Sequence, residues 1–397
     1  MSTTPRIPGH RFLHSPGPSR VPDDVLHAMS RQPMDLADPR VDATIAACEA
    51  GLKALMHTPA GADVFLYATN GHGAWEAVIA NLIAPGRKVL IPSTGHFSEG
   101  WSAQAEAFGA QVIRTPWVEG RPIDPAVVEA ALRADEAHEI DAIYAVHTDT
   151  ASGITSDLAA IRAAIDRAGH PALYVVDVVA SLGAAPFDMT ALRANVVLGA
   201  SQKGLMVPPG LGFVAVDRLA FDFAARNPAP RFYWDWRPRQ SELSYRKFCG
   251  TPPQSLLAGL EASLGLIFRE GEAQVLARHR RLAEAVHAAI DAWREGGAVD
   301  FYCDVPEARS TSVTAIRVAA GIEPEQLRTV ARERFEVAIA GGLGPLAGRV
   351  FRIGHLGDLN PAMILGCLAG VEAAMTVVGI PFGRGGVDRA IARLAAG

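Results

Sequence analysis

Through the first 220 residues, apolar positions come in short blocks separated by longer amphipathic stretches. Seven β-rich runs recur: VFLYAT (64–69), KVLIPS (88–93), QVIRTPW (111–117), AIYAVH (142–147), ALYVVD (172–177), NVVLGA (195–200) and GFVAVD (212–217). Between the earlier runs, at about 43–56, 73–84, 98–108, 124–134 and 156–169, apolar residues return every three or four positions, as on one buried face of a helix. This alternation predicts an α/β domain with a mostly parallel sheet. Runs so continuously apolar require helices covering both faces of the sheet.

The texture changes after Asp217. The stretch RNPAPRFYWDWRPRQSELSYRKFCGTPPQ mixes aromatics, prolines and arginines without a period and reads as a long irregular segment. A helical pattern then runs from Gln254 to about Glu295, with the boundary to a smaller lobe inside it. That lobe holds SVTAIRV (312–318), EQLRTVARERF (325–335), a turn at FRIGHLG and a helix near 361–378. The expected division is an extended arm at 1–20, a large domain at 21–265 and a small α+β domain at 266–397.

Composition narrows the class. With 397 residues, 49% of them hydrophobic, the chain can bury cores for two globular lobes. A net charge of -5 gives no electrostatic footprint for nucleic acid and points to small substrates. Cys48, Cys249, Cys303 and Cys367 are scattered, with no C-x-x-C pair and no disulfide framework, which fits a reducing cytoplasm. Neither a signal-peptide h-region nor an uncharged membrane-length run is evident, so no membrane partner is expected.

The candidate chemistry lies where apolar strands end, because open α/β sheets bind ligands at that edge. ALYVVD ends in Asp177, NVVLGA runs into Ser201-Gln202-Lys203, AIYAVH into His147-Thr148-Asp149-Thr150, and VFLYAT into Asn70-Gly71-His72-Gly73. An acid and a lysine from neighbouring strand ends suit pyridoxal phosphate (PLP), which needs a lysine Schiff base and an acid facing its pyridine nitrogen. Most lysines are solvated surface groups, but Lys203 sits between an apolar strand and the apolar turn Val207-Pro208-Pro209-Gly210. Asp177 alone reads equally well as a helix cap. The Asn70–Gly73 turn would present backbone N–H groups at a helix N-terminus, where phosphate binds, although such turns also serve packing alone. Neither a G-x-x-x-x-G-K-[ST] loop nor a G-x-G-x-x-G turn at the first strand is present, which weakens nucleotide-binding readings.

Four segments together, HTDTASGITSD, HPALYVVDVVASLGAAPFDM, GASQKGLMVPPGLGFV and GRVFRIGHLGDLN, resemble the serine–glyoxylate and alanine–glyoxylate aminotransferases. These are class V enzymes of PLP fold type I, and the resemblance runs from about residue 14 to about residue 380. It implies that Lys203 carries the cofactor and Asp177 pairs with the pyridinium nitrogen. It also implies that Phe97 and Val179 pack on the two faces of the ring, with Thr150 near its phenolic oxygen. Asn70, Gly71, His72 and Gln202 would hold the phosphate, with Thr251 supplied by the partner subunit of a homodimer. Arg352 would clamp the substrate carboxylate, a match of planar guanidinium to carboxylate. Gly17 would bring backbone close to the substrate or else form a tight turn. His355 would line the site or satisfy a turn.

The reaction implied moves an amino group to glyoxylate, with serine as the first expected donor and alanine, aspartate or ureidoglycine as alternatives. Three departures bear on the donor. Thr148-Asp149-Thr150-Ala151-Ser152-Gly153 stands where serine–glyoxylate enzymes carry N-E-T-A-T-G, Phe248 stands where a tyrosine is common, and Met34–Pro39 replaces a stretch that usually includes an arginine. A class V lyase or desulfurase would need a nucleophilic cysteine in AGGLGPLAGRVF, which has none. A PLP-binding regulator would carry a DNA-binding module or lack the lysine, and a nicotinamide dehydrogenase would carry the glycine fingerprint.

Overall fold

The computed structural model describes residues 7–396. All seven apolar runs form strands of one sheet, in the order Asp63–Tyr67, Gly212–Val216, Val196–Ala200, Leu173–Asp177, Ile140–Val146, Lys88–Ile91, Gln111–Arg114. Neighbours are parallel except at Gly212–Val216, which runs antiparallel to both of its partners. Side chains alternate across the sheet as the pleat requires. Tyr174, Val176 and Val197 enter one core with Ile45, Leu52, Ile161 and Leu260, while Val175, Val196 and Leu198 enter the other with Trp75, Val78 and Trp101. Both faces are therefore covered.

Helix starts follow local capping chemistry. Asp38 and Asp124 each precede a proline and accept a first-turn amide, and Asp157 and Asp217 cap Leu158–Ala168 and Arg218–Ala225. The irregular segment after residue 226 contains only a short 3-10 turn, Arg237–Arg239, and the four-residue helix Ser244–Lys247.

The helical stretch expected from Gln254 to Glu295 breaks at Gly271, whose φ of 90° is poorly tolerated by other residues. Before the break, Leu257, Leu260 and Ile267 join the core of the large sheet; after it, Leu282, Val286, Ile290 and Trp293 join that of a second sheet. This five-stranded sheet has the order Phe12–His14, Val337–Gly341, Val350–Gly354, Val313–Val318, Val299–Phe301. Phe12–His14, within the expected extended arm, pairs as a parallel edge strand with Val337–Ile339. One feature differs from the expectations: Phe351–Gly354 of the expected turn is buried strand paired on both sides. Residues 1–6 of the expected arm lie outside the described residues.

The helix Pro361–Val378 is long and apolar enough to cross a membrane by composition alone. It buries Ile364, Leu368, Val371 and Met375 in the small-sheet core, and its Glu372 accepts hydrogen bonds from Trp293 Nε1 (2.8 Å) and Val387 N (3.1 Å).

Gly199 lies directly opposite Phe213 on the antiparallel strand, and a Cβ at Gly199 would overlap the Phe213 ring. Gly199→Ala should therefore destabilise the large lobe by about 1–3 kcal/mol, the usual result of overpacking. Denaturant unfolding followed by circular dichroism checks this; an unchanged midpoint would show that the ring moves freely.

Candidate active site

The carboxyl ends of the parallel strands converge on one cavity of about 260 Å³. Its lining includes Gly17, Asn70, Gly71, His72, Phe97, Thr150, Asp177, Val179, Gln202 and Lys203, ten of the residues singled out in the sequence. Arg352 stands behind it, bound through Nη1 to the carbonyl of Thr150 at 2.7 Å. Thr251 does not line it; within this single chain it is exposed.

Asp177 is the last residue of its strand and is 5% exposed. Its carboxylate accepts from Trp75 Nε1 and from the Val179 amide, each at 2.7 Å. Burial raises its pKa to about 6 against these donors and the nearby Lys203. Lys203 follows the next strand, in a turn closed by Val207 N to Ser201 O at 3.0 Å. Its Nζ donates to the carbonyl of Pro16 at 2.6 Å, and burial together with Arg352 lowers its pKa to about 8. Its amine is thus partly neutral near physiological pH, as a nucleophile or base requires.

The N-terminal segment closes over this lysine. Ser19 N donates to Gln202 O at 3.0 Å and Ser19 Oγ to Lys203 O at 2.7 Å. Gly17 has φ 146°, and a Cβ there would overlap Lys203 Nζ, so both conformation and space demand glycine.

Asn70 caps the helix Gly71–Leu82, accepting from Gly73 N at 3.2 Å, and this leaves the other first-turn amides of a buried helix N-terminus facing the cavity. Gln202 Oε1 is buried without a hydrogen-bond partner among the described residues, as expected of an amide awaiting a polar ligand. Phe97 and Val179 are half-buried; Phe97 meets Trp75 edge-on at 6.2 Å, and Trp75 in turn stacks on Trp101 at 5.5 Å. Arg352 is 5% exposed, and burial lowers its pKa to about 10. Its Nε donates to Gly341 O at 2.7 Å, while its second terminal nitrogen makes no hydrogen bond among the described residues. His355 takes the turn-satisfying alternative: its ring contacts Thr314 Oγ1 (2.9 Å) and Thr311 O (3.0 Å), and it does not line the cavity.

Sequence reasoning missed two members, Trp75 and Pro16. An indole five residues after Asn70, on a helix that must face the sheet, was the available signal for Trp75. The Pro16 carbonyl carried no signal at all. A larger cleft of about 390 Å³, between Glu119, Tyr302, Arg317 and Arg349, shares no lining residue with this cavity. Its two arginines already pair with Glu119 and Asp304.

A buried lysine beside a buried strand-end acid, an unfilled amide and a helix N-terminus fit a phosphorylated pyridine aldehyde, and with this sheet order they define a PLP enzyme of fold type I. The family description Aminotransferase class-V matches residues 11–347. The chain is 39% identical over 368 residues to the L-aspartate–glyoxylate aminotransferase of Paracoccus denitrificans, covering 92% of this chain and 91% of the relative. It is 38% identical over 380 residues to the serine–glyoxylate aminotransferase of Methylorubrum extorquens, covering 94% and 93%. The solved ureidoglycine–glyoxylate aminotransferase of Bacillus subtilis superposes with a TM-score of 0.88 at 27% identity, over 98% of this chain and 99% of that one. The chain belongs to the class V aminotransferases and is a PLP-dependent enzyme. Serine, the first expected donor, is not singled out, because an aspartate enzyme is as similar as a serine enzyme.

The raised pKa of Asp177 has a consequence for stability. Between the ordinary 3.8 and about 6 the folded state holds a proton that the unfolded state has released, so this group's contribution falls as pH rises and its burial penalty is complete above pH 6. Relative to the parent, Asp177→Asn should gain on the order of 2 kcal/mol in unfolding free energy on going from pH 4 to pH 7 in the cofactor-free protein. Urea unfolding at the two pH values checks this; a pH-independent difference would refute the assignment of the buried charge.

Proposed function

We propose that the protein transfers the amino group of a small α-amino acid to glyoxylate in a ping-pong cycle, with Lys203 as the base that moves the Cα proton. The observation that carries this reading is the Lys203 amine, enclosed with a depressed pKa beside Asp177. When bound, pyridoxal phosphate supplies the electron sink that stabilises the Cα carbanion and carries the amino group between half-reactions. Asp177 holds a negative charge where the sink's ring nitrogen must stay protonated. Phe97 and Val179 would pack on the two faces of the ring, with Thr150 near its phenolic oxygen. Asn70, Gly71, His72 and Gln202 would hold the phosphate at the helix N-terminus.

Arg352 clamps the α-carboxylate through its free nitrogen, and Gly17 lets backbone approach the substrate. Lys203 Nζ would take the proton from Cα, the amino group would stay with the bound cofactor, and water would supply the oxygen of the keto acid released. Glyoxylate would enter second, take up that amino group, give up its aldehyde oxygen as water and leave as glycine. The support for this acceptor is that three relatives with different donors, aspartate, serine and ureidoglycine, all carry glyoxylate in their names. The donor class is small α-amino acids, those three and alanine among them. Thr251, exposed in one chain, reaches the phosphate of a second chain in a homodimer with shared sites.

Two measurements test this. The purified protein should show a visible PLP absorption band, and Lys203→Ala should abolish it and lower kcat by about 10²–10⁴-fold, the usual contribution of a proton-transferring group. A borohydride-reducible cofactor adduct persisting in Lys203→Ala would overturn the assignment. A matrix of serine, aspartate, alanine and ureidoglycine against glyoxylate, pyruvate and 2-oxoglutarate, read by half-reaction spectra, should show glyoxylate restoring the starting band. Failure of glyoxylate to do so would overturn the acceptor.

A further inference from the structure

The helix His96–Ala107 carries Phe97 and begins after Gly95, which has no side chain to cap it. Ser98 Oγ takes the amides of Thr94 and Gly95, and the Phe97 amide is served from a distant part of the chain. Asp149 is fully buried, and one carboxylate oxygen accepts from Phe97 N (3.1 Å) and Thr94 Oγ1 (2.9 Å) while the other accepts from Ala151 N (2.8 Å). Two backbone amides and the Thr94 hydroxyl face this carboxylate and favour its ionised form, against burial, which raises its pKa. A negative charge at a helix N-terminus is further favoured by the helix dipole. The next residue, Thr150, receives Arg352 Nη1 on its carbonyl. One short turn thus joins the helix bearing Phe97 to the arginine on the small sheet.

The charge of Asp149 raises the pKa of two cavity groups, Lys203 and Asp177, and of Arg352 behind them. Burial raises the pKa of Asp149 itself, and the hydrogen bonds from Phe97 N, Ala151 N and Thr94 Oγ1 oppose that rise. Lys203 and Arg352 are two buried cations, and Asp177 alone would balance one of them.

We propose that Asp149 is a positioning residue: its carboxylate anchors the helix that holds Phe97 against the cofactor ring and supplies the second negative charge that balances Lys203 and Arg352. This rests on the reading of the cavity as a PLP site on Lys203.

The test uses the holoenzyme and the variants Asp149→Asn, Asp149→Glu and Thr94→Val. In Asp149→Asn, the pH midpoint at which the visible band titrates should fall by about half a unit or more, since a nearby negative charge favours the protonated lysine nitrogen. PLP should also bind the apoprotein about tenfold more weakly, read by fluorescence quenching, as the loss of a charge-assisted hydrogen bond implies. Asp149→Glu, which keeps the charge, should return the midpoint toward the parent value. An Asp149→Asn protein with parental melting temperature and unchanged midpoint overturns the proposal, as does a Glu variant indistinguishable from Asn. If Asp149→Asn does not fold, Thr94→Val decides: it removes one donor from the same carboxylate and should move the midpoint the same way by less, and no movement overturns the proposal. Absence of any band in the parent, or its persistence in Lys203→Ala, would instead defeat the PLP reading and is distinguishable from these outcomes.

Discussion

Three charged side chains, Arg352, Asp177 and Asp149, are buried, and with the partly buried Lys203 they gather between the edge of the large sheet and the small one. An isolated buried charge is strongly unfavourable, and a pair breaks even only when its remaining donors and acceptors are satisfied. Much of the surrounding architecture is explained by that requirement. The Trp75 indole and the Val179 amide serve Asp177, Thr94 and two amides serve Asp149, and the carbonyls of Gly341 and Thr150 serve Arg352. Among the described residues Lys203 has only the Pro16 carbonyl, and it is the group whose reactivity the cavity exposes.

The parallel sheet makes this arrangement possible. Parallel strands end at the same edge, so the acid of one strand and the lysine after its neighbour arrive together without any long loop. The aromatic column of Phe97, Trp75, Trp101 and Tyr144 then stiffens the helix layer against which the cavity forms, with Trp101 and Tyr144 stacked at 4.6 Å.

The strand blocks and helix faces were legible because burial on both sides leaves long apolar runs, and each expected strand formed within a few residues of its limits. Strand direction was not: GFVAVD looks like its parallel neighbours, and only tertiary pairing shows it reversed. FRIGHLG resembled a turn because of its glycines, yet Phe351 and Ile353 are core residues of the small sheet. At the site, Lys203 and Asp177 were readable because strand ends announce them. Their supports were not, since the contacts of Asp149 with Phe97, Trp75 with Asp177 and Pro16 with Lys203 join residues 52, 102 and 187 positions apart. No local pattern encodes such distances.

The path of residues 12–19 gives the amino end of the chain an unusual status. Within eight residues it serves as a strand of the small sheet, at Phe12–His14, and as a lid over the reactive lysine, at Pro16–Ser19. The two lobes are therefore tethered across the cavity by a segment shorter than a typical linker. The carbonyl that holds the lysine amine thus sits two residues from a strand of the other lobe's sheet.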